Sequence, residues 1–568
     1  MRAINRQFRM VVALALFVAT TGVFLAAQEQ PSNQQLLREL EALKVRIQQL
    51  ESQQQGTAAN ALSATVQSVE AKKEADAALK VATEATPILE KLRKGQIQVG
   101  RTNIFLNGWI EASANYREHS QLSGPSSSNP STIPFPNQAQ YYATEFRTGP
   151  PQTRFGLNSV SDLTNNYILR SKLEFDLLSG SNAANTGNIN GSWTPRLRAG
   201  WMEVDNLKGK WHVMAGQGYS LTVPSGNGIQ ADGNPSPNLA WTLLPNTEAP
   251  PVPDDSPMAG AITSTRNMQL RLIKEIARNT AVAISFENNV VNWGGDKGSL
   301  LEGTPGVPFT GTALPKPIVS ASSFSTGTVA YTSLGTMPDI IGKIGYDTPG
   351  HRAHLEAWGI FRQYKDDPGS IAVSLPQAGK AYAGGGNIGG YIKLIPNKLD
   401  FQFAGGYGSF GAQLNGFIPD VTYNSAGAPV PIYEKELGAQ LIPHVTKNID
   451  MYFEVGIERA NSAGINTGAT TGNSYGYGNP FNAGTAGTAG CLTKFTTSLT
   501  ATCAADNQTV ADFLYTLVWR TINNPKLGHL DLLPQVLYSR RNTFRDQFGA
   551  SAHTSDYAID IVARYWPW

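Results

Sequence analysis

Charged and apolar side chains alternate along several short segments of this chain. In residues 167–178 the charged positions are Arg170, Lys172, Glu174 and Asp176. Because successive side chains of an extended strand point to opposite faces, these four side chains share one face. The planar guanidinium of arginine binds carboxylates and phosphates through two parallel hydrogen bonds. The segment therefore predicts a strand whose charged face could bind or select anionic solutes.

Other segments of similar texture extend this charged surface. Their basic residues are Arg154, Arg196, Arg198, Arg266 and Arg271. We predict that all of these side chains line the interior of the fold, together with the acidic Glu174 and Asp176. The alternative is that the charges pair with one another across the interior and only stabilise the wall.

Sixteen such segments fill the chain from about residue 102 to its end. They cover residues 103–117, 152–160, 166–178, 194–206, 210–223, 264–275, 280–290, 338–347, 351–364, 386–395, 399–409, 435–445, 449–460, 511–522, 527–541 and 555–566. The gaps between them alternate between short turns and long loops. An even number of amphipathic strands in this rhythm predicts a transmembrane all-β fold, a 16-stranded antiparallel β-barrel. The eighth strand has an alternative, because residues 329–331 could pair in place of 338–347.

The first 27 residues have the features of an export signal. Three arginines precede an apolar run over residues 10–25, which ends in Ala26 and Ala27. This pattern predicts a signal peptide over residues 1–27, with an uncleaved membrane anchor as the alternative. The formal net charge of +2 includes these three arginines, so the remainder carries −1. The charge balance gives no reason to expect nucleic acid as a partner.

Residues 28–95 have a helical rather than a strand pattern. Leu36, Leu40, Leu43, Ile47 and Leu50 repeat with the spacing of coiled-coil seam positions. We predict an α-helical coiled-coil stalk that oligomerises, with a helix folded against its own domain as the alternative. Residues 96–568 would then form the barrel. Because both barrel ends fall on the side of the short turns, the stalk is expected in the periplasm, beneath the cell outer membrane.

The third long loop, residues 224–263, is acidic. It contains Asp232, Glu248, Asp254 and Asp255 and no Lys or Arg. We predict that it folds into the lumen as a constriction opposite the basic wall, with an outward lid as the alternative. A loop of that kind would set up a transverse field across the pore.

The remaining motifs indicate no catalysis. Cys491 and Cys503, the only cysteines, lie in one predicted loop and are expected to form a disulfide in an oxidising compartment. The sequence Gly406–Gly411 matches G-x-G-x-x-G, but no βαβ pattern surrounds it. We expect no enzyme activity, no cofactor and no metal, including at His351 and His354.

Residues 154–364 resemble the DcaP-type trimeric outer-membrane porins. The matching segments are Thr153-Arg154-Phe155-Gly156, Lys172-Leu173-Glu174-Phe175-Asp176, Pro195-Arg196-Leu197-Arg198, Ala215-Gly216-Gln217-Gly218-Tyr219-Ser220, Arg266 with Gln269 and Arg271, and Pro338-Asp339-Ile340. Phosphate-selective porins are the nearest group with a similar plan. The resemblance implies a homotrimer in the lipid bilayer that passes small, often anionic, solutes.

Two functions follow from these patterns. The first is a porin for passive diffusion of small hydrophilic solutes, with anions preferred. The second is a structural outer-membrane protein whose stalk contacts the cell wall and tethers the membrane to it.

Overall fold

The computed structural model describes most of the barrel region. The described residues are 96–121, 129–177, 195–224, 265–277, 279–295, 329–332, 336–350, 352–365, 379–414, 416–424, 428–466, 474–496, 505–524 and 527–567, with residues 41, 44, 45, 259, 260, 468, 470 and 503. The chain divides into two units, Met1–Lys94 and Gly95–Trp568. In the first unit Glu41, Lys44 and Val45 are helical. The predicted signal peptide and the coiled-coil seam lie outside the described residues.

Strands dominate the second unit. In chain order they are β1 (Gln96–Val99), β2 (Thr102–Arg117), β3 (Glu145–Gly149), β4 (Arg154–Thr164), β5 (Tyr167–Asp176), β6 (Arg196–Asn206), β7 (Trp211–Tyr219), β8 (Arg266–Ala277), β9 (Thr280–Glu287), β10 (Val290–Trp293), β11 (Val329–Thr332), β12 (Asp339–Asp347), β13 (Ala353–Lys365), β14 (Lys380–Ile395), β15 (Leu399–Gly408), β16 (Val421–Tyr423), β17 (Pro429–Pro431), β18 (Glu434–Thr446), β19 (Ile449–Ala460), β20 (Asn507–Asn524), β21 (Gly528–Thr543) and β22 (His553–Trp566).

Helices in the described part of the second unit are short. They are Pro130–Thr132, Ala139–Tyr142, Gly411–Gln413, Pro480–Ala483 and Ala489–Leu492. Among the described residues, no helix combines the length and the apolar character needed to cross a membrane.

Sixteen of the strands close into a single antiparallel barrel. The ring runs β2, β4, β5, β6, β7, β8, β9, β12, β13, β14, β15, β18, β19, β20, β21 and β22, and it closes where β22 pairs with β2. The predicted 16-stranded barrel is therefore confirmed. Residues 339–347 form its eighth strand, whereas residues 329–332 pair with β10 outside the ring.

The two faces of the wall differ as the alternating pattern predicts. On β5, Arg170 and Asp176 are buried on the inner face, whereas Leu173 and Phe175 are exposed on the outer face. The same contrast recurs around the ring, for example at Ile388, which is 65% exposed. An apolar outer band around a polar interior is typical of transmembrane β-barrels.

The two ends of the barrel have different connections. Short turns join β4 to β5, β6 to β7, β8 to β9, β12 to β13, β14 to β15, β18 to β19 and β20 to β21, and they define what we call the short-turn end. The other connections define the long-loop end. At the short-turn end, β1 pairs with residues 102–105 of β2. The pairing of β22 with β2 covers residues 110–117, so β1 takes the place of β22 beside the start of β2.

The loops at the long-loop end pack against one another. Strands β11, β10, β16 and β17 form a separate four-stranded sheet from two different loops. Cys491 and Cys503 are joined by a disulfide. Cys491 packs against Phe135 of the first loop and Ala552 of the last, and its carbonyl oxygen accepts a hydrogen bond from the backbone N–H of Asn137 at 3.2 Å.

This packing predicts that the disulfide maintains the loop cap but not the barrel. We expect the Cys491→Ser, Cys503→Ser variant to be cleaved faster by protease within residues 461–510, because the crosslink restricts this loop to few conformations. The heat-modifiable migration of the barrel on gels is expected to stay unchanged. Equal cleavage rates in the two proteins would show that the loop contacts suffice without the crosslink.

Candidate functional site in the barrel lumen

The basic residues predicted on β5 and β6 face the lumen and form ion pairs there. The Arg198 guanidinium lies 3.2 Å from Glu174 and 2.7 Å from Asp176, and its side chain is fully buried. Lys172 lies 2.9 Å from Glu174. The Arg198 contacts join β6 to β5, so these charges stabilise the wall as well as line it.

Nearer the short-turn end, a second group of charges surrounds Arg170. Its guanidinium lies 2.7 Å from Asp205 and 3.7 Å from Glu203, two carboxylates on β6. All three side chains are almost completely buried. Burial of like charges is costly unless a cation compensates them, so Arg170 is needed here for stability.

The other predicted residues of this sector also face inward. Arg154 on β4 lies over the Trp109 ring, 4.2 Å from its centroid. Arg196 pairs with Asp176 at 2.6 Å, and its side chain remains 36% exposed. Arg271 on β8 is fully buried and donates a hydrogen bond to the backbone carbonyl of Tyr219 at 2.6 Å.

Arg266, the first residue of β8, lies on the strand phase opposite to that of Arg271, so its place on the lumen wall stays a prediction. It is five positions from Arg271, and residues separated by an odd number along a strand point to opposite sides. On β8 the buried positions include Asn267 and Gln269, whereas Met268 is exposed on the outer phase that Arg266 shares. The Arg266 guanidinium lies 5.5 Å from the centroid of the Tyr219 ring.

Described residues near the two ends of the long connection after β7 contact opposite walls of the lumen. The connection begins against the near wall, where the backbone N–H of Leu221 donates to Glu287 at 2.8 Å. Close to its end, the N–H of Gly260 donates to Glu458 at 3.0 Å and the N–H of Ala259 donates to Asp512 at 2.8 Å. Because β19 and β20 lie eight strands around the ring from β7 and β8, these contacts are on the opposite wall.

A glycine makes this contact between loop and wall possible. Gly456 on β19 faces the lumen, and a Cβ at this position would overlap the carbonyl oxygen of Ala259. Gly260 has a φ of +90° and lies against the backbone of Leu437. The absence of side chains on both surfaces lets two backbones approach directly. The predicted constriction residues Asp232, Glu248, Asp254 and Asp255 lie outside the described residues.

A second loop, residues 409–433, also enters the lumen. Its Asp420 carboxylate lies 2.6 Å from the Arg362 guanidinium on β13, which also pairs with Asp339 at 3.0 Å. All three side chains are fully buried. The backbone carbonyl oxygen of Gln413 accepts a hydrogen bond from the Thr222 hydroxyl at 3.1 Å, which joins this loop to the start of the first.

Apolar side chains cover the wall beneath these loops. The cluster consists of Met214, Leu221, Ile273, Ala281, Ala283, Ile341, Trp358, Ile360, Phe410 and Leu414. Phe410 of the second loop contacts Trp358 of β13 edge to face, with ring centroids 5.3 Å apart. The loops are therefore attached by an apolar core inside the barrel as well as by charges.

The wall on the other side of the lumen is rich in carboxylates. Glu434 and Glu436 of β18, Glu454 and Glu458 of β19 and Asp512 of β20 all face inward. The partners that the structure shows are uncharged: the Asn387 amide binds Glu436 at 3.0 Å, and the Gln440 amide binds Glu454. This sector therefore differs in charge from β4–β8.

Histidines at the short-turn end repeat one arrangement. On three hairpins a histidine Nδ1 lies opposite an aspartate Oδ1 of the paired strand. The pairs are His212 with Asp205 at 2.6 Å, His354 with Asp347 at 2.7 Å and His444 with Asp450 at 2.7 Å. These pairs join the two strands of each hairpin inside the lumen.

Sequence reasoning missed several of these residues, and only some of them could have been found from local patterns. Arg362, Asp339 and Asp420 come from separate elements, and their association depends on which loop enters the lumen. The acidic residues of β18–β20 could have been found from the strand alternation, since Glu454 and Glu458 share one phase of residues 449–460 and apolar residues occupy the other. The Asp–His pairs could also have been found, because each flanks a short turn.

Comparison with solved structures identifies similar barrels. The outer membrane channel DcaP of Acinetobacter baumannii has 13% sequence identity and a TM-score of 0.53, with 83% of this chain and 98% of that chain covered. An anion-selective porin from Comamonas acidovorans has 10% identity and a TM-score of 0.41, with 82% and 99% covered. OprB of Pseudomonas putida has 11% identity and a TM-score of 0.41, with 85% and 96% covered.

Sequence comparisons add no family. No protein-family model matches the chain. No curated protein matches it either. The chain therefore shares its fold with the DcaP channel, and its function has to be argued from the lumen itself.

The docking of the first loop can be tested at its glycine contact. We expect Gly456→Val to displace residues 259–260 from the wall, with loss of two hydrogen bonds to carboxylates, worth about 1.5–3 kcal/mol each. Single-channel conductance should rise and protease cleavage between residues 224 and 259 should become faster. The control is Gly342→Val on β12, where a Cβ would contact nothing within 4 Å. Equal conductance of the two variants would mean that the loop does not restrict the pathway.

Proposed function

We propose that this protein is an outer-membrane porin for passive diffusion of small hydrophilic solutes. The observation that carries the proposal is a closed barrel with an apolar outer face and a charged lumen, in which Leu221 and Gly260 of one connection contact opposite walls. A tether needs only the stalk and the membrane-embedded wall. Contacts of one connection with opposite lumen walls, by contrast, have a direct use in restricting what passes.

The anion preference is the finer part of the proposal. Apart from Arg170, which pairs with Glu203 and Asp205, residues 154–198 place four lumen-facing cations against two carboxylates. The cations are Arg154, Lys172, Arg196 and Arg198, and the carboxylates are Glu174 and Asp176. The excess positive charge lies near the long-loop end, where a solute would enter first. Arg196 is the partly exposed member and is the best placed to meet an anion.

The acidic loop and the carboxylates of β18–β20 would complete a transverse field. With positive charge on one wall and negative charge opposite, solutes that carry both charges would be oriented as they pass. We further propose that the barrel assembles as a homotrimer, that its short turns and stalk face the periplasm, and that the stalk extends towards the cell wall. These points rest on the heptad pattern and on the resemblance of residues 154–364.

Planar-bilayer recording tests the porin against the tether. We expect the purified full-length protein to open in steps of three equal conductances, because each barrel of a trimer would conduct independently. Under a salt gradient, the reversal potential should have the sign expected for a pore that passes anions more readily than cations. A folded, heat-modifiable protein that never conducts would favour the tether.

One substitution tests which residue sets the preference. We expect Arg196→Gln to lower the anion-to-cation permeability ratio by up to about fivefold, since a unit charge 4 Å away in water is worth ~1 kcal/mol. The matched control is Arg459→Gln, which removes the same charge from an exposed position on the outer phase of β19. If both variants shift the reversal potential equally, the shift comes from the general surface charge of the protein and not from a residue that lines the lumen.

A further inference from the structure

One group of lumen side chains has the composition of a metal site. Glu203 and Asp205 lie two positions apart on β6, and His212 lies directly opposite Asp205 on β7. Each offers one ligand atom, and these atoms lie within 4.8 Å of one another. All three residues are buried, at 0%, 0% and 4% exposure.

Glu203 is the member that lacks an adequate partner. Neither of its carboxylate oxygens makes a hydrogen bond within the described part of the chain. Its closest cation is Arg170, 3.7 Å away, and Arg170 lies nearer to Asp205, at 2.7 Å. A buried carboxylate without hydrogen bonds is costly, so a further cation at this position would stabilise the wall.

The charge balance points in the same direction. With a neutral imidazole, the two carboxylates and Arg170 leave one negative charge uncompensated. Glu275 lies 3.9 Å from His212 Nε2 and adds another, although Lys210 faces it from 3.7 Å. Either a proton on His212 or a bound cation can supply the missing positive charge.

We propose that Glu203, Asp205 and His212 bind a divalent transition-metal ion of the zinc class at the β6–β7 hairpin. One imidazole and two carboxylates suit zinc, cobalt or manganese, whereas calcium and magnesium prefer oxygen ligands alone. Two donors on a tetrahedral zinc ion lie about 3.4 Å apart. To reach that spacing, His212 Nδ1 has to move away from Asp205 Oδ1, which is 2.6 Å from it, and donors that are up to 4.8 Å apart have to approach. Arg170 keeps its contact with the second oxygen of Asp205 and orients that ligand.

A second hairpin provides a matched comparison. On β12 and β13, Asp347, His354 and Glu356 repeat the arrangement of a histidine between two carboxylates. There the third carboxylate is satisfied, because Glu356 lies 2.9 Å from Lys343 and 3.1 Å from His354. This hairpin should bind no metal, and the difference between the two hairpins is the missing partner of Glu203.

Metal titration of the purified full-length protein tests the proposal. With zinc chloride in equilibrium dialysis we expect about one ion per chain, and with cobalt chloride a visible absorption band that zinc abolishes. Glu203→Gln and His212→Asn should each weaken zinc binding at least tenfold, whereas His354→Asn should leave it unchanged. Folding of every variant is checked by heat-modifiable migration.

Several outcomes would overturn the proposal. One is a folded wild-type protein that binds no zinc at micromolar concentration, in which case a proton on His212 or between the two carboxylates supplies the balance. Another is zinc binding that survives Glu203→Gln or is lost in His354→Asn. If the β6 variants do not fold, the wild-type protein alone decides, because zinc should raise its unfolding temperature and produce the cobalt band. Metal binding is measured independently of conductance, so the metal proposal can fail while the porin proposal holds.

Discussion

The hydrogen-bond ladder between β22 and β2 is the contact on which the rest of this structure depends. Residues 110–117 pair with residues 558–565, and this pairing removes the last free edges of the sheet. In a bilayer, an unpaired strand edge would leave backbone groups without partners, at several kcal/mol for each group. Closure therefore permits the apolar outer face, and it also creates an enclosed interior in which charged side chains can remain.

Closure also explains why the lumen charges are organised by pairs. Inside the ring, a side chain such as Arg198 or Arg362 has little water around it, so each must meet carboxylates. Many of these pairs connect adjacent strands, and they therefore stabilise the register of the wall. The same chemistry attaches the loops, because Asp420 binds Arg362 and Glu458 receives the backbone N–H of Gly260.

The two sides of the lumen consequently have different roles. The side formed by β7–β13 carries an apolar cluster and the loop contacts, so it serves as the support for the loops. The sector over residues 154–198 has excess cations, and the sector over β18–β20 has carboxylates with uncharged partners. The charges that stabilise the wall therefore also line the lumen, and the partly exposed ones, such as Arg196, are those that a solute would meet under the proposed porin function.

The amino-acid sequence determined the sixteen strands, their alternating faces and the position of the short turns, because a period of two in hydrophobicity is a local property of each segment. It also determined that Arg170, Lys172 and Arg198 face the same side of the sheet. The same alternation of side chains along a strand gives the phase of Arg266. Only the tertiary structure decided that residues 259–260 contact β19 and β20, that Asp420 meets Arg362 and that the Glu203 oxygens receive no hydrogen bond within the described part of the chain. Such contacts join segments far apart in the chain, and no local pattern specifies which loop enters a closed barrel or which wall it meets.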